Sequence, residues 1–422
     1  MKTTVASPDM NVWNKFLLRF ILLYFIFYIY PYGLEYIHNF KFDDFSFWKG
    51  ITIWFGETFF GWEFNRNLLY NGFDSKYDFS RFSLIAVLSI LFSCIWIFLD
   101  RKFKWYYDVK VKQLLRTILR YHVGLTLALY GLAKLIPTQF GVMSFDRLET
   151  PLGDFTGMGL LWAFMGCSKF YTIVTGLVEF IGGVLLLFRR TTFLGSFILL
   201  IAMLNVVIID IGYDVTVKMF AVHLLCMIIV LLGPYAKNLL NFFVFNLPTT
   251  SIKEKSLFDK NKKIANYIKA GILILFSISL YHHKVEALEY AKEDTTPTIS
   301  GEYEVIEQVR KNDTLKIEND GRWKSFSING SSWKRGSFRL EKMDGENYYY
   351  DFKADTVTKT IELISKKDTV NSPYKFRYSK TGKEVVFEGK YKGDSIMVKT
   401  KSKTLLDYRL MRKTKLIRDL ED

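Results

Sequence analysis

YTIVTGLVEFIGGVLLLFRRTTFLGSFILLIAMLNVVIIDIGYD, residues 171–214, decides the fold. It holds two apolar runs joined by Arg189 and Arg190, and it ends on Asp210 and Asp214. An α-helix rising ~1.5 Å per residue needs about 20 apolar residues to cross ~30 Å of hydrocarbon. Each run has that length, so the stretch reads as a transmembrane hairpin with a basic turn at one end and an acidic turn at the other.

Outward from this hairpin the same pattern recurs. Spans are expected near 13–31, 81–99, 115–136, 169–188, 191–211, 216–233 and 264–281. The segment 47–62, FWKGITIWFGETFFGW, is aromatic, broken by Glu57 and punctuated by glycine. It reads as an interfacial or re-entrant piece. The run Trp13–Tyr30 has no small-residue cleavage site and reads as a retained signal anchor.

Charge fixes the expected orientation. Arg101, Lys102, Lys104, Lys110, Lys112 and Arg116 follow the second span, and Arg189 and Arg190 join the fourth to the fifth. Lys237, Lys253, Lys255, Lys260, Lys262 and Lys263 precede the last. Alternating crossings put all three groups on one side, the cytoplasm, together with the N-terminus. The 209–215 turn, IDIGYDV, has no basic residue. Of the formal charge of +15, residues 298–422 carry +7 and the helical region +8, the latter next to the apolar spans, and no nucleic-acid signature accompanies it. Three cysteines, Cys94, Cys167 and Cys226, form no CxxC, so a dithiol relay or zinc site has no support in the sequence.

Beyond a polar linker, 285–298, the period changes from helical to alternating. Nine short strand candidates follow: GEYEVIEQV, RWKSFSI, GSFRLEKM, NYYYDFKA, TKTIELIS, YKFRYS, EVVFEGKY, DSIMVKT and LDYRLMR. Turns such as KND, MDGE, KTGK and KGDS separate them. The expected fold is a membrane all-α helical bundle followed by a soluble all-β domain, an antiparallel lipocalin-like barrel, with a sandwich as the alternative.

Ionisable groups inside lipid cost about 2.5–3.5 kcal/mol each at the bilayer centre and so single themselves out. Lys134, Glu179, Asn205, Asp210, Asp214, Lys218 and His223 all fall in the membrane core or its outer half. Asp214 and Lys218 share a helix face, while Lys218 and His223 differ by about 140°. A polar pocket open to the outside, with Glu179 as its floor, is one reading of this set. Structural ion pairs and interfacial snorkelling are the other. Glu179 is expected to meet at least one of Lys134, Lys218 and His223. Gly176, Gly182, Gly183 and Gly195 permit close helix approach. No metal site is expected.

RTILRYHVGLTLALYGLAKL (116–135), GLLWAFMG (159–166), YTIVTGLVEFIGGVLLLFRRTTFLGSFIL (171–199) and YDVTVKMFAVHLL (213–225), taken in order, resemble the DoxX-like membrane protein family. RWKSFSI, YYYDFKADTVTKTIEL and FEGKYKGDSIMVK fit its longer Bacteroidetes-type members, which add leading helices and a periplasmic β domain. The resemblance implies a four-helix core, and some members are linked to thiosulfate:quinone oxidoreduction. The chain then divides into 1–112, an N-terminal membrane region; 113–245, the DoxX-like core; 246–297, a cytoplasmic loop, last span and linker; 298–412, the β domain; and 413–422, a charged tail. Two functions compete. One is a quinone-linked membrane oxidoreductase subunit of the inner membrane, with quinone as cofactor and lipid as its surroundings. The other is a binding or assembly protein whose periplasmic barrel holds a lipid, a peptide or a protein partner. Nucleic acid is not an expected partner.

Overall fold

A computed structural model describes residues 10–29, 46–65, 74–103, 107–252 (except 137, 138 and 142), scattered positions in 263–285, and 299–412 except 317, 318, 320, 331–335 and 366–372. The chain forms two compact units, one from residues 1–136 and 170–283, the other from 137–169 and 284–422. The expected linker and charged tail, and most of the expected last span, lie outside the described residues.

The first unit is helical. Its elements are α1 (Val12–Ile29), α2 (Ser46–Phe60), α3 (Lys76–Phe103), α4 (Asp108–Leu135), α7 (Lys169–Leu186), α8 (Thr192–Gly212), α9 (Lys218–Leu232) and α10 (Ala236–Phe243). Among the described residues five helices are long and apolar enough to cross a membrane: α1, α3, α7, α8, and α9 continued by α10. The seven expected spans are thus not all of one kind. The third, α4, has the length but is more polar. Leu119 and Val123 on α4 are fully buried in one cluster with Leu22 of α1, Leu199 of α8 and Leu224, Met227 and Ile228 of α9, and Ala128 is fully buried in another beside Phe180 and Val184 of α7. α2, at 15 residues, is too short to span, and Ser80 of α3 donates to its Thr52 carbonyl at 2.6 Å. The outward faces are apolar: Val87, Ile90, Leu91 and Phe98 on α3, and Ile201, Leu204 and Ile208 on α8, stand exposed. Exposed apolar surface on that scale suits lipid rather than water.

α4 and α7 meet at glycines seven residues apart on each helix. A Cβ on Gly131 would lie 2.5 Å from the Phe180 nitrogen and 2.6 Å from the Gly176 oxygen. One on Gly183 would lie 2.6 Å from the Gly124 oxygen. The two backbones therefore touch without intervening side chains, the small-residue packing that membrane helices use. Gly195 carries the same device to α8, with Gly182 oxygen 2.9 Å from its would-be Cβ.

The second unit is a β-barrel with a short helical segment, α5 (Phe145–Glu149) and α6 (Gly157–Cys167). Strands β1 (Gly301–Arg310), β2 (Asp313–Thr314), β3 (Trp323–Asn329), β4 (Gly336–Lys342), β5 (Asn347–Asp355), β6 (Thr360–Ser365), β7 (Tyr374–Thr381), β8 (Glu384–Tyr391) and β9 (Asp394–Lys403) run antiparallel in the order β2-β1-β3-β4-β5-β6-β7-β8-β9. β1 also pairs with β9, from Glu302 opposite Lys403 to Arg310 opposite Ile396, with a bulge at Ile306. That pairing closes an eight-stranded barrel, with β2 a two-residue extension. Closure leaves no free edge along its main strands. Alternate residues point inward and fill the interior with rings: Tyr303, Trp323, Phe326, Phe338, Tyr350, Phe352, Phe376, Phe387 and Tyr391. Tyr303 stacks on Phe326 and Phe326 on Phe338, each at 5.0 Å. Among the described residues these rings form one packed cluster inside the barrel.

Two expectations need correction. LDYRLMR (406–412) is not a ninth strand but two 3-10 turns, Leu405–Asp407 and Arg409–Met411. The Asp407 carboxylate accepts from the Thr404 amide (2.8 Å) and hydroxyl (3.0 Å), which bends the chain away from extension. Residues 137–169, read as part of the 113–245 core, pack instead with the β domain. Asn329 accepts from the Phe145 amide at 2.7 Å, and the Ser327 hydroxyl donates to Asp146. Arg339 pairs with Asp146 at 3.2 Å. Glu149 takes Lys403 at 3.2 Å and the Tyr408 hydroxyl at 2.6 Å.

Candidate functional site

The α4–α7 glycine contact brings Lys134 onto Glu179. Each lies three residues beyond a contact glycine, Gly131 and Gly176 respectively, so both side chains leave the seam on adjoining turns. Lys134 Nζ donates to both carboxylate oxygens, at 2.6 and 2.5 Å. The pair is buried, with Lys134 8 % and Glu179 4 % exposed. An isolated charge there would be prohibitive; a bidentate, hydrogen-bonded pair is tolerable. The basic partner of Glu179 is therefore Lys134.

Asp210, near the end of α8, is buried at 6 % exposure and feels the charges of Lys134, Asp74, Lys218 and Glu179. Among the described residues its carboxylate takes part in no hydrogen bond or ion pair. Tyr130, one turn before Lys134 on α4, feels Glu179 and Asp210 and packs its ring 5.8 Å from Phe220. Lys218 binds Asp214 at 2.7 Å and reaches Asp74 at 3.7 Å. Asp74 also caps α9, accepting from the Lys218 and Met219 amides at 2.8 and 3.0 Å. Both Asp74 and Asp214 hold left-handed backbone, φ 54° and 50°, a conformation Asp tolerates in turns.

His223 belongs to a different contact. Its ring stacks on Tyr28 (4.1 Å, 9°) and packs against Phe82 at 4.7 Å. Its Nδ1 is 2.6 Å from the Met219 carbonyl and its Nε2 is 2.7 Å from the Tyr24 hydroxyl. The Met219 carbonyl can only accept, so Nδ1 donates to it, and Nε2 shares a hydrogen bond with the Tyr24 hydroxyl. The Nδ1 bond stays within α9, and the Nε2 bond ties α9 to α1. Asn205 stands on the exposed face of α8 beside Leu204, outside the cluster.

Of the seven residues singled out from the sequence, Lys134, Glu179, Asp210 and Lys218 share one electrostatic neighbourhood, and Asp214 joins it through Lys218 from an exposed turn. Tyr130 and Asp74 complete it and were missed, a tyrosine and a loop aspartate carrying no hydropathy signal. A second polar centre was also missed. Arg19 of α1, fully buried, donates to Asp100 of α3 and, at 2.8 Å, to Asp108 of α4, with Trp96 under its guanidinium at 5.5 Å. Its signal was legible: an arginine in the middle of the Trp13–Tyr30 apolar run.

No family model and no solved structure matches this chain. It is 29 % identical over 133 residues to the uncharacterized protein YwoB of Bacillus subtilis (strain 168), a stretch that covers 32 % of this chain and 84 % of that protein.

Proposed function

We propose that this chain is an integral membrane protein of DoxX type that acts as a quinone-binding subunit of a membrane redox system. The ring would sit in the outer polar layer formed by α4, α7, α8 and α9. Asp210 carries this reading. It is a buried carboxyl beside a neutralised ion pair, with no hydrogen bond among the described residues, and Tyr130 feels its charge. A quinone site needs an apolar slot and one or two polar groups at the ring oxygens. Tyr130 and a protonated Asp210 would donate to quinone carbonyls, and an ionised Asp210 would accept from quinol hydroxyls. Electrons would come from a partner protein.

The proposed orientation places the β domain outside the cytoplasm, in the periplasm of a cell with two membranes. Chain connectivity supports it. The 137–169 segment, which packs with the barrel, joins the Lys134 end of α4 to the start of α7. The basic residues cluster at the opposite ends, in 101–116 and at Arg189–Arg190. The assembly-protein reading stays as the alternative. With rings packed inside the barrel, a partner would bind its outside.

Titration of a short-chain quinone into the full chain in nanodiscs, read by tryptophan quenching, tests the site. Saturable binding is expected, weakened at least tenfold by Asp210→Asn and unchanged by Asn205→Ala. Glu179→Gln is the poorer probe, because it strands Lys134 in the core and reads stability. Unsaturable quenching, or equal binding by the Asp210→Asn protein, would refute the reading.

A further inference from the structure

At the other end of the same helices lies a cavity of about 890 Å³. Arg189 and Arg190, from the turn between α7 and α8, stand on one rim. Thr249, Thr250 and Ser251 stand on another, and Asn238 of α10 pins that segment by donating to the Thr250 carbonyl at 2.6 Å. Between them the wall is aromatic. Phe193 packs on Tyr235 at 4.9 Å and on Phe197 at 6.1 Å, and Phe197 stacks on Phe243 at 5.9 Å and 8°. Behind Tyr235 lies a third cation, the Arg116 guanidinium, 5.6 Å from the ring and donating to the Leu231 carbonyl at 3.1 Å. Beside the cavity the chain turns an unbroken apolar strip outward: Phe242, Phe243, Val244 and Phe245 are each 59–66 % exposed.

A soluble metabolite would not need that strip, and an acyl chain alone would not need two arginines. We infer that this cavity binds the phosphodiester headgroup of an anionic phospholipid from the cytoplasmic leaflet. The Arg189 and Arg190 guanidiniums would hold the phosphate oxygens, the hydroxyl rim the glycerol, and the exposed phenylalanines the acyl chains. Guanidinium matches phosphate with paired N–H donors, and basic pockets between helices at the cytoplasmic face are where anionic lipids concentrate. The inference rests on reading α7–α9 as membrane spans, with Arg189–Arg190 on the cytoplasmic side.

The full chain would be purified in mild detergent and titrated with phosphatidylglycerol, phosphatidylcholine or soluble glycerol 3-phosphate, with bound molecules counted by native mass spectrometry. Phosphatidylglycerol should bind at least tenfold more tightly than phosphatidylcholine, and glycerol 3-phosphate should not compete. Arg189→Gln/Arg190→Gln should abolish the preference. Arg189→Lys/Arg190→Lys, which keeps the charge that sets orientation but loses the fork, should weaken it several-fold. Lys110→Gln/Lys112→Gln should leave it unchanged. Equal binding of the two lipids, or full preference in the Gln variant, overturns the proposal. Competition by glycerol 3-phosphate would assign the site to a soluble phosphate and overturn the lipid. Release of the chain from membranes by alkaline carbonate would instead refute the membrane reading beneath it.

Discussion

Glu302 shows how one carboxyl makes the β unit answer to pH. It is 3 % exposed on β1. Burial pushes its pKa up to about 7, against the pull of Arg339 and a hydrogen bond from Ser325. The folded state therefore holds this proton more tightly than the unfolded chain, whose glutamate titrates near 4.5. Stability from Glu302 is complete below about pH 4.5, falls as pH rises through 7, and then levels off. The span corresponds to about 3 kcal/mol at most. Thermal unfolding of the barrel, followed by near-UV circular dichroism between pH 5 and 8, should show the wild type losing stability relative to Glu302→Gln as pH rises. A difference between the two proteins that does not change with pH would contradict this assignment. Nearby Glu149 moves the other way: burial raises it, but the Tyr408 and Lys403 hydrogen bonds outweigh that and hold it low. At this scale the sequence was a partial guide. Lys134 and Glu179 stood out because charge in an apolar run is costly, whereas Asp74 and Tyr130 matter only through the fold that delivers them.

At the scale of elements, the α4–α7 seam is what makes the site. Gly176 and Gly183 were legible as packing residues, but their partners Gly124 and Gly131 sit in a helix whose polar residues masked them. Pairing becomes visible only when two antiparallel helices share the seven-residue spacing. Gly131→Leu would drive a side chain into the Phe180 and Gly176 backbone, which cannot rotate aside. The expected cost is about 1–3 kcal/mol, the usual range for overpacking, together with separation of the Lys134–Glu179 pair. Helical unfolding in detergent should show a lowered midpoint for Gly131→Leu. Gly153→Leu, where an added Cβ meets nothing within 4 Å, should match wild type. Equal midpoints for all three proteins would refute the backbone contact. The strands were easier to read, since alternation and turn residues mark them locally; Gly345, Gly382 and Gly393 hold the positive φ that MDGE, KTGK and KGDS announced. LDYRLMR alternates too, and misled for that reason. Its fate is set by the Asp407 cap and by a barrel already closed through β1 and β9.

For the whole molecule, hydropathy separated helical from β regions correctly, while the allegiance of 137–169 was invisible to it. That segment follows the barrel through Phe145, Asp146 and Glu149, contacts between residues more than 180 positions apart. The β unit is thus joined to the helical unit before α7 and again after residue 283, beyond the expected last span. Under the proposed membrane reading, four crossings, α7, α8, α9 and the expected last span, separate the two connections, which puts both on one side and the basic loops on the other. We propose a membrane-embedded helical unit with its barrel outside the cytoplasm. Paired fusions of alkaline phosphatase and green fluorescent protein after Arg412, expressed in a bacterial host, test it most directly. An active phosphatase and a dark fluorescent protein are expected; bright fluorescence with no phosphatase activity would overturn the proposed topology.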